Sequence, residues 1–168
     1  MTQVKITEAE SHDVQAIADI AAEAFWREYG SREKAEKAFR DTVAKRWLGI
    51  IERRSGIVLV AKEGRRVVGF LVFRWWFGWY GWLEAIAVKE GYRGRGIGKQ
   101  LLKTLIDKAR RQGYTKICLA VDNKDPVSFY KKFGAKKFGE LPDDKGDLLE
   151  LYYIPLKEDN PQNKKSRR

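Results

Sequence analysis

A single cysteine, Cys118, excludes any intramolecular disulfide in this chain of 168 residues. That scarcity fits a reducing compartment, and a cytoplasmic protein is expected. Cys118 lies in the apolar run Ile117-Cys-Leu-Ala-Val121, where a thiol is inert rather than nucleophilic. Histidine is equally scarce: His12 is the only one, so no catalytic zinc constellation can be assembled and no metal is expected. His12 precedes the first helical pattern and reads as a surface or capping residue. The amino terminus, Met1-Thr-Gln-Val-Lys-Ile-Thr, lacks an apolar signal core. Only one stretch, Phe70 to Val88, approaches spanning length at about 19 residues. It contains Arg74 and Glu84, and Gly78 and Gly81 bracket a turn, so it reads as two strands of a hairpin. No membrane partner is expected.

Acidic residues are outnumbered, 23 against 34 Lys and Arg, for a net charge of +11. Residues 157–168 contribute five positive and two negative side chains, which leaves +8 on residues 1–156. A basic body suits an anionic ligand. Basic and acidic residues interleave along most of the chain, so nucleic acid ranks last among the anionic partners. A hydrophobic content of 43%, with 12% aromatic, marks a folded globule of one domain.

Local signals order the elements. A strand is expected over Val4–Thr7, an amphipathic helix over Asp13–Tyr29, and a second helix from the cap Ser31 to about Arg54. Strands follow at Ile57–Lys62 and Val67–Trp76 around the tight turn Glu63-Gly64-Arg65. The run Trp75-Trp-Phe-Gly-Trp-Tyr-Gly-Trp82 then leads into another strand. A helix over Ile97–Gln112 stops at Gly113, and Lys116–Val121 is a strand. Pro126–Phe133 is a short helix, and Lys136–Glu140 and Leu148–Leu156 are the last strands. Residues 1–156 form the expected domain; residues 157–168 read as a basic, disordered tail. The order is that of an α+β fold with a mixed sheet.

Chemistry concentrates in Leu83-Glu-Ala-Ile-Ala-Val-Lys-Glu-Gly-Tyr-Arg-Gly-Arg-Gly-Ile-Gly-Lys99, a strand entering a basic glycine loop that opens a helix. Such a loop lets backbone N–H groups and a helix start surround a pyrophosphate. A P-loop is excluded because Gln100 follows Gly98-Lys99 where a hydroxyl is needed. A dinucleotide fingerprint is excluded because its last glycine would fall on Lys99 or Leu101.

Arg93-x-x-Gly96-x-Gly98, after the strand Ala85–Val88, resembles the acyl-CoA loop of the GNAT N-acetyltransferase superfamily, Gln/Arg-x-x-Gly-x-Gly/Ala. The block Asn123-Lys-Asp-Pro-Val-Ser-Phe-Tyr130-Lys-Lys-Phe-Gly134 is similar to that family's second motif. The resemblance implies a mostly antiparallel sheet flanked by helices in three layers, with splayed central strands forming an acyl-CoA cleft. It implies a transferase, an acyltransferase that moves acetyl from acetyl-CoA to a primary amine (a protein N-terminus, a lysine or a small amine) by direct attack in a ternary complex. By the same resemblance Ile86, Ala87 and Val88 bind the thioester and pantetheine. Arg93, Gly94, Arg95, Gly96, Ile97, Gly98 and Lys99 hold the pyrophosphate. Asn123, Pro126, Phe129 and Tyr130 complete the cofactor site, and Tyr130 is the general acid for the departing thiolate.

Glu84 is the candidate base; strand alternation places it on the face of Ile86 and Val88. A salt bridge to Arg74 across the hairpin is the other reading. Asp122 and Glu150 are secondary candidates. The aromatic run is read as hairpin packing, an acceptor pocket, or a partner surface, including a homodimer contact. A non-catalytic acetyl-CoA-binding sensor or interaction module is the alternative to an enzyme.

Overall fold

The computed structural model describes residues 2–122 and 126–157. Asn123 and residues 158–168 therefore lie outside the described residues. Seven strands form one sheet: β1 (Val4–Glu8), β2 (Gly56–Glu63), β3 (Arg66–Phe77), β4 (Tyr80–Val88), β5 (Lys116–Val121), β6 (Lys136–Pro142) and β7 (Leu148–Pro155). Their spatial order is β1-β2-β3-β4-β5-β7-β6, antiparallel throughout except for the parallel pair β4–β5. Helices α1 (Val14–Phe25), α2 (Arg32–Ala38) and α3 (Ala44–Arg53) cover one face. Helix α4 (Ile97–Arg111) covers the other, and α5 (Val127–Lys131) lies beyond β5 in sequence.

Local chemistry explains most boundaries. Ser31 Oγ accepts from Lys34 N–H at 3.2 Å and starts α2. The expected single helix from Ser31 to Arg54 is continuous, but Phe39–Val43 forms a π-helical stretch between α2 and α3. The first helix ends earlier than expected: Trp26–Tyr29 tightens into a 3-10 turn, closed by Gly30. At its start Asp13, almost fully buried, accepts from Glu10 N–H and pairs with Lys62 Nζ at 2.8 Å.

The central strands carry apolar side chains on both faces. Leu59, Leu71 and Phe73 join Leu101, Leu102 and Leu105 of α4 in one core layer. Val60, Phe70 and Val72 join Ile17, Phe39 and Trp47 in the other. Gly69 sets the spacing of α4 against β3: a Cβ there would lie 3.3 Å from Ala87 O and 3.3 Å from Ile97 Cγ2. Phe70–Val88 is the expected hairpin, and no helix among the described residues is long and apolar enough to cross a membrane.

The feature that opens the sheet is a short pairing. β4 and β5 match only at Tyr80–Trp82 with Lys116–Cys118, although β5 pairs with β7 along its whole length. Beyond Trp82 and Cys118 the two central strands part, leaving one edge of β4 without a strand partner among the described residues. Just past that point β4 bulges: Leu83 faces Phe73 and Ala85 faces Val72, so Glu84 is an extra residue. A bulge shifts the alternation of side chains. Ile86 and Val88 pack toward α4, whereas Glu84 reaches Arg46 and Trp47 of α3 on the opposite face. The expectation that Glu84 shares the face of Ile86 and Val88 is thus corrected.

Candidate functional site

After β4 the chain is pinned at four places. Lys89 N–H donates to Val68 O at 2.8 Å and Glu90 N–H to Glu23 Oε1 at 2.8 Å. Tyr92 Oη donates to Glu63 Oε2 at 2.7 Å, and Arg93 Nε donates back to Val88 O at 3.0 Å. Gly94 and Gly96 adopt φ of +74° and +77°, which glycine reaches without steric cost. Gly96 then caps α4, whose first intrahelical bond runs from Gln100 N–H to Gly96 O. The amides of Ile97, Gly98 and Lys99 precede any helical carbonyl, so they form a donor cluster at the positive end of a 15-residue helix. Lys99 and Arg95 are exposed beside it, and the Arg95 guanidinium sits 5.0 Å over the Tyr92 ring. Arg93 differs from them: one of its N–H groups is committed to the strand end, so it also braces the loop.

A groove of about 700 Å³ runs from this loop between β4 and α5. Ile86, Ala87 and Val88 line it, as do all the anticipated loop residues from Arg93 to Lys99 except Arg95. Pro126, Phe129 and Tyr130 form its far wall. Tyr92, Lys132 and Phe133 also line it and were not anticipated. Their signal was position: Tyr92 is inside the glycine loop, and Lys132 and Phe133 extend the turn that carries Phe129. The three residues of β4 do not contribute alike. Because Lys89 N–H joins β3, alternation turns the backbone of Ala87 toward β3 as well, and that of Ile86 and Val88 toward the open edge.

A second groove, about 530 Å³, enters the same opening from the α1–α3 side. Tyr29, Phe39 and Trp47 wall it from the helices, and Trp82, Glu84 and Ile86 from β4. Burial, assisted by the charge of Glu28, holds the Tyr29 phenol above its usual pKa. Glu84 is 11% exposed at its side chain, with Oε1 2.6 Å from Arg46 Nη2 and 2.7 Å from Arg74 Nε. The Arg74 contact is an ion pair without an aligned hydrogen bond. Trp47 Nε1 donates to Oε2 at 3.3 Å. The expected Arg74 bridge is therefore present, joined by Arg46 and Trp47, which sequence reading missed. Among the described residues, two belong to both grooves: Ile86 and Tyr130.

Other candidates lie apart. Glu150 accepts from Tyr152 Oη at 2.6 Å and from Lys137 Nζ at 3.2 Å, contacts that lower its pKa; it lines neither groove. Asp122, after β5, lines neither groove. Cys118 is buried, and burial raises its pKa against the opposing charge of Lys116. His12 lies 3.5 Å from both Glu10 and Asp13, outside both grooves.

The acetyltransferase (GNAT) family model matches residues 16–135. The chain belongs to the GNAT acetyltransferase family. This acetyltransferase is 30% identical over 111 residues to an acetyltransferase of Agrobacterium fabrum, an alignment covering 64% of this chain and 80% of that one. It is 36% identical over 84 residues to the thialysine N-epsilon-acetyltransferase of Sus scrofa, covering 46% of this chain and 49% of the relative. Among solved structures, an N-acetyltransferase from Staphylococcus aureus superposes with a TM-score of 0.75 at 25% identity, over 93% of this chain and 100% of the other. An aminoglycoside 6'-N-acetyltransferase solved with coenzyme A shares the fold, with a TM-score of 0.75 at 19% identity over 92% and 98% of the two chains. The seven-stranded, mostly antiparallel sheet with flanking helices is the architecture of these acetyltransferases.

Proposed function

We propose that this acetyltransferase transfers acetyl from acetyl-CoA to a primary amine by direct attack in a ternary complex. The observation that carries the reading is the meeting of two grooves at Ile86 and Tyr130. One groove has a pyrophosphate-type donor cluster at its far end, and the other opens to solvent on the opposite face. Acetyl-CoA bound along the first would bring its thioester to the junction, and an amine arriving through the second would need no covalent relay. The solved relatives that carry coenzyme A support the choice of cosubstrate.

The chemistry follows from the groups at the junction. The amine nitrogen forms a bond to the acetyl carbon, and the developing oxyanion is stabilised by strand-edge N–H groups of β4. Such fixed donors contribute about 3 kcal/mol each in other acyl-transfer sites. The C–S bond then breaks, and the thiolate takes the Tyr130 phenolic proton, a general-acid role open to a phenol. The ammonium proton leaves to water or to Glu84. Oε1 of Glu84 accepts from Arg46 and is ion-paired with Arg74, whereas Oε2 accepts only from Trp47 among the described contacts. A carboxylate oxygen has two acceptor sites, so Oε2 retains one for an acceptor amine or a water.

Coenzyme A thiol release is the direct test, run with acetyl-CoA and pooled peptides, lysine derivatives, polyamines and aryl amines. Acceptor-dependent multiple turnover is expected. Tight acetyl-CoA binding without turnover on any of these amines would turn the reading toward a sensor module.

A further inference from the structure

Acetyl transfer makes no use of the aromatic run except Trp82, since Trp75, Trp76, Phe77 and Trp79 line neither groove. Trp76, Phe77 and Trp79 stand at the β3–β4 tip with 54%, 60% and 52% of their surface exposed. Contiguous large rings left in water mark a surface that something covers. The sheet register shows what surrounds them. Gly56, three residues past the end of α3, faces Arg74, and Lys116 faces both Tyr80 and Pro155. Arg110 Nε, at the end of α4, donates to Leu156 O at 2.9 Å. The same pole therefore gathers six cations, Arg53, Arg54, Arg110, Arg111, Lys116 and Lys157, against three acids, Glu8, Glu10 and Glu52.

Charge decides between occupants. A second copy of the chain would set one basic pole against another, which repels. The partner is anionic, and the rings require it to be apolar as well. Nucleic acid would need open ring faces for base stacking. The Arg74 guanidinium at 5.3 Å covers one face of Trp76, and Lys116 Nζ at 5.5 Å covers one face of Trp79, which reduces the ring surface open to stacking without abolishing it. An anionic bilayer offers both features, because tryptophan settles at headgroup depth while Lys and Arg reach the phosphates. We propose that the tip of the β3–β4 hairpin docks on an anionic lipid surface, rings at headgroup level and the surrounding cations on the phosphates. This is peripheral contact, not spanning. The acyl-CoA loop begins at the other end of β4, roughly 26 Å away for a nine-residue strand, so docking leaves it open to solvent.

The test is co-sedimentation of the full chain with phosphatidylcholine vesicles, with and without phosphatidylglycerol. Binding is expected only with phosphatidylglycerol, and it should weaken as salt is raised. The combined variant Trp76→Ser, Phe77→Ser, Trp79→Ser should lose tenfold or more in affinity, with circular dichroism and the unfolding transition reporting its fold. Independently, Arg53→Gln and Arg54→Gln should each cost about fivefold. Absence of binding to phosphatidylglycerol vesicles would overturn the proposal, as would binding that ignores either set of substitutions. Equal affinity for single-stranded DNA, lost in the ring variant, would assign the pole to nucleic acid instead. A dimer that the ring variant dissolves would assign it to self-association.

Discussion

Replacing Tyr92 by Phe removes one oxygen and leaves the ring, so it isolates what the bond to Glu63 does for the glycine loop proposed to hold acetyl-CoA. In the native protein the Tyr92 hydroxyl donates to Glu63 Oε2 at 2.7 Å, tying the glycine loop to the β2–β3 turn. A hydrogen bond to a charged acceptor contributes about 1.5–3 kcal/mol, and half-burial with access to water brings the expected loss to about 1 kcal/mol. Three other ties hold the loop: Lys89 N–H to Val68 O, Glu90 N–H to Glu23, and Arg93 Nε to Val88 O. The whole loss appears in binding only if the bond is made in the complex and absent from the free loop. The expected rise in Kd for acetyl-CoA is therefore at most about fivefold. Tyr92→Leu also removes the ring beneath the Arg95 guanidinium, worth about 0.5–1 kcal/mol more, so the affinities should fall in the order wild type, Phe, Leu. Titration calorimetry with acetyl-CoA, alongside kcat in the thiol-release assay, measures both. A Kd unchanged in both variants while Tm falls would refute the reasoning, because the bond would then serve the fold alone. A fall in kcat at constant Kd would refute it differently, by placing Tyr92 in the chemistry.

Tyr130→Phe should lower kcat by about a hundredfold with little change in acetyl-CoA affinity, read from steady-state kinetics and calorimetry. Glu84→Gln should raise the acceptor KM about tenfold by removing the carboxylate that Arg46 and Arg74 flank, while acetyl-CoA, in the neighbouring groove, binds as before. Leu101 is fully buried, so Leu101→Ala should cost about 3 kcal/mol and lower Tm by roughly 10 °C in a thermal melt. Cys118 has a pKa raised by burial, so the unfolded chain loses its thiol proton first as pH rises. Stability should therefore be unaffected by this group below the ordinary thiol pKa and decline above it. The native thiol should react with an aromatic disulfide far more slowly than the urea-unfolded chain.

Much of the fold was legible because its signals are local. Ser31 caps α2 by its own side chain, and Gly64 and Gly113 occupy positive φ where the pattern asks for a turn and a helix stop. The geometry of the glycine loop was legible for the same reason: its donors are consecutive amides, and Gly94 and Gly96 are spaced along one loop. Glu84 shows where that legibility ended. Alternation places it with Ile86 and Val88, but a bulge belongs to a pair of strands and appears only when β3 and β4 are in register. Arg46, Trp47, Phe39 and Tyr29 carry no motif, and their place in the second groove arises from how the helices pack across the sheet.

By itself, then, the sequence determined the order of elements, the phosphate-type loop and its family resemblance, since each depends on residues within a turn or two of one another. Tertiary structure alone decided that β4 and β5 part after Trp82 and Cys118, that Arg46 and Trp47 join Arg74 at Glu84, and that both grooves meet at Ile86 and Tyr130. Those outcomes depend on register and packing between segments tens of residues apart, which no local pattern encodes.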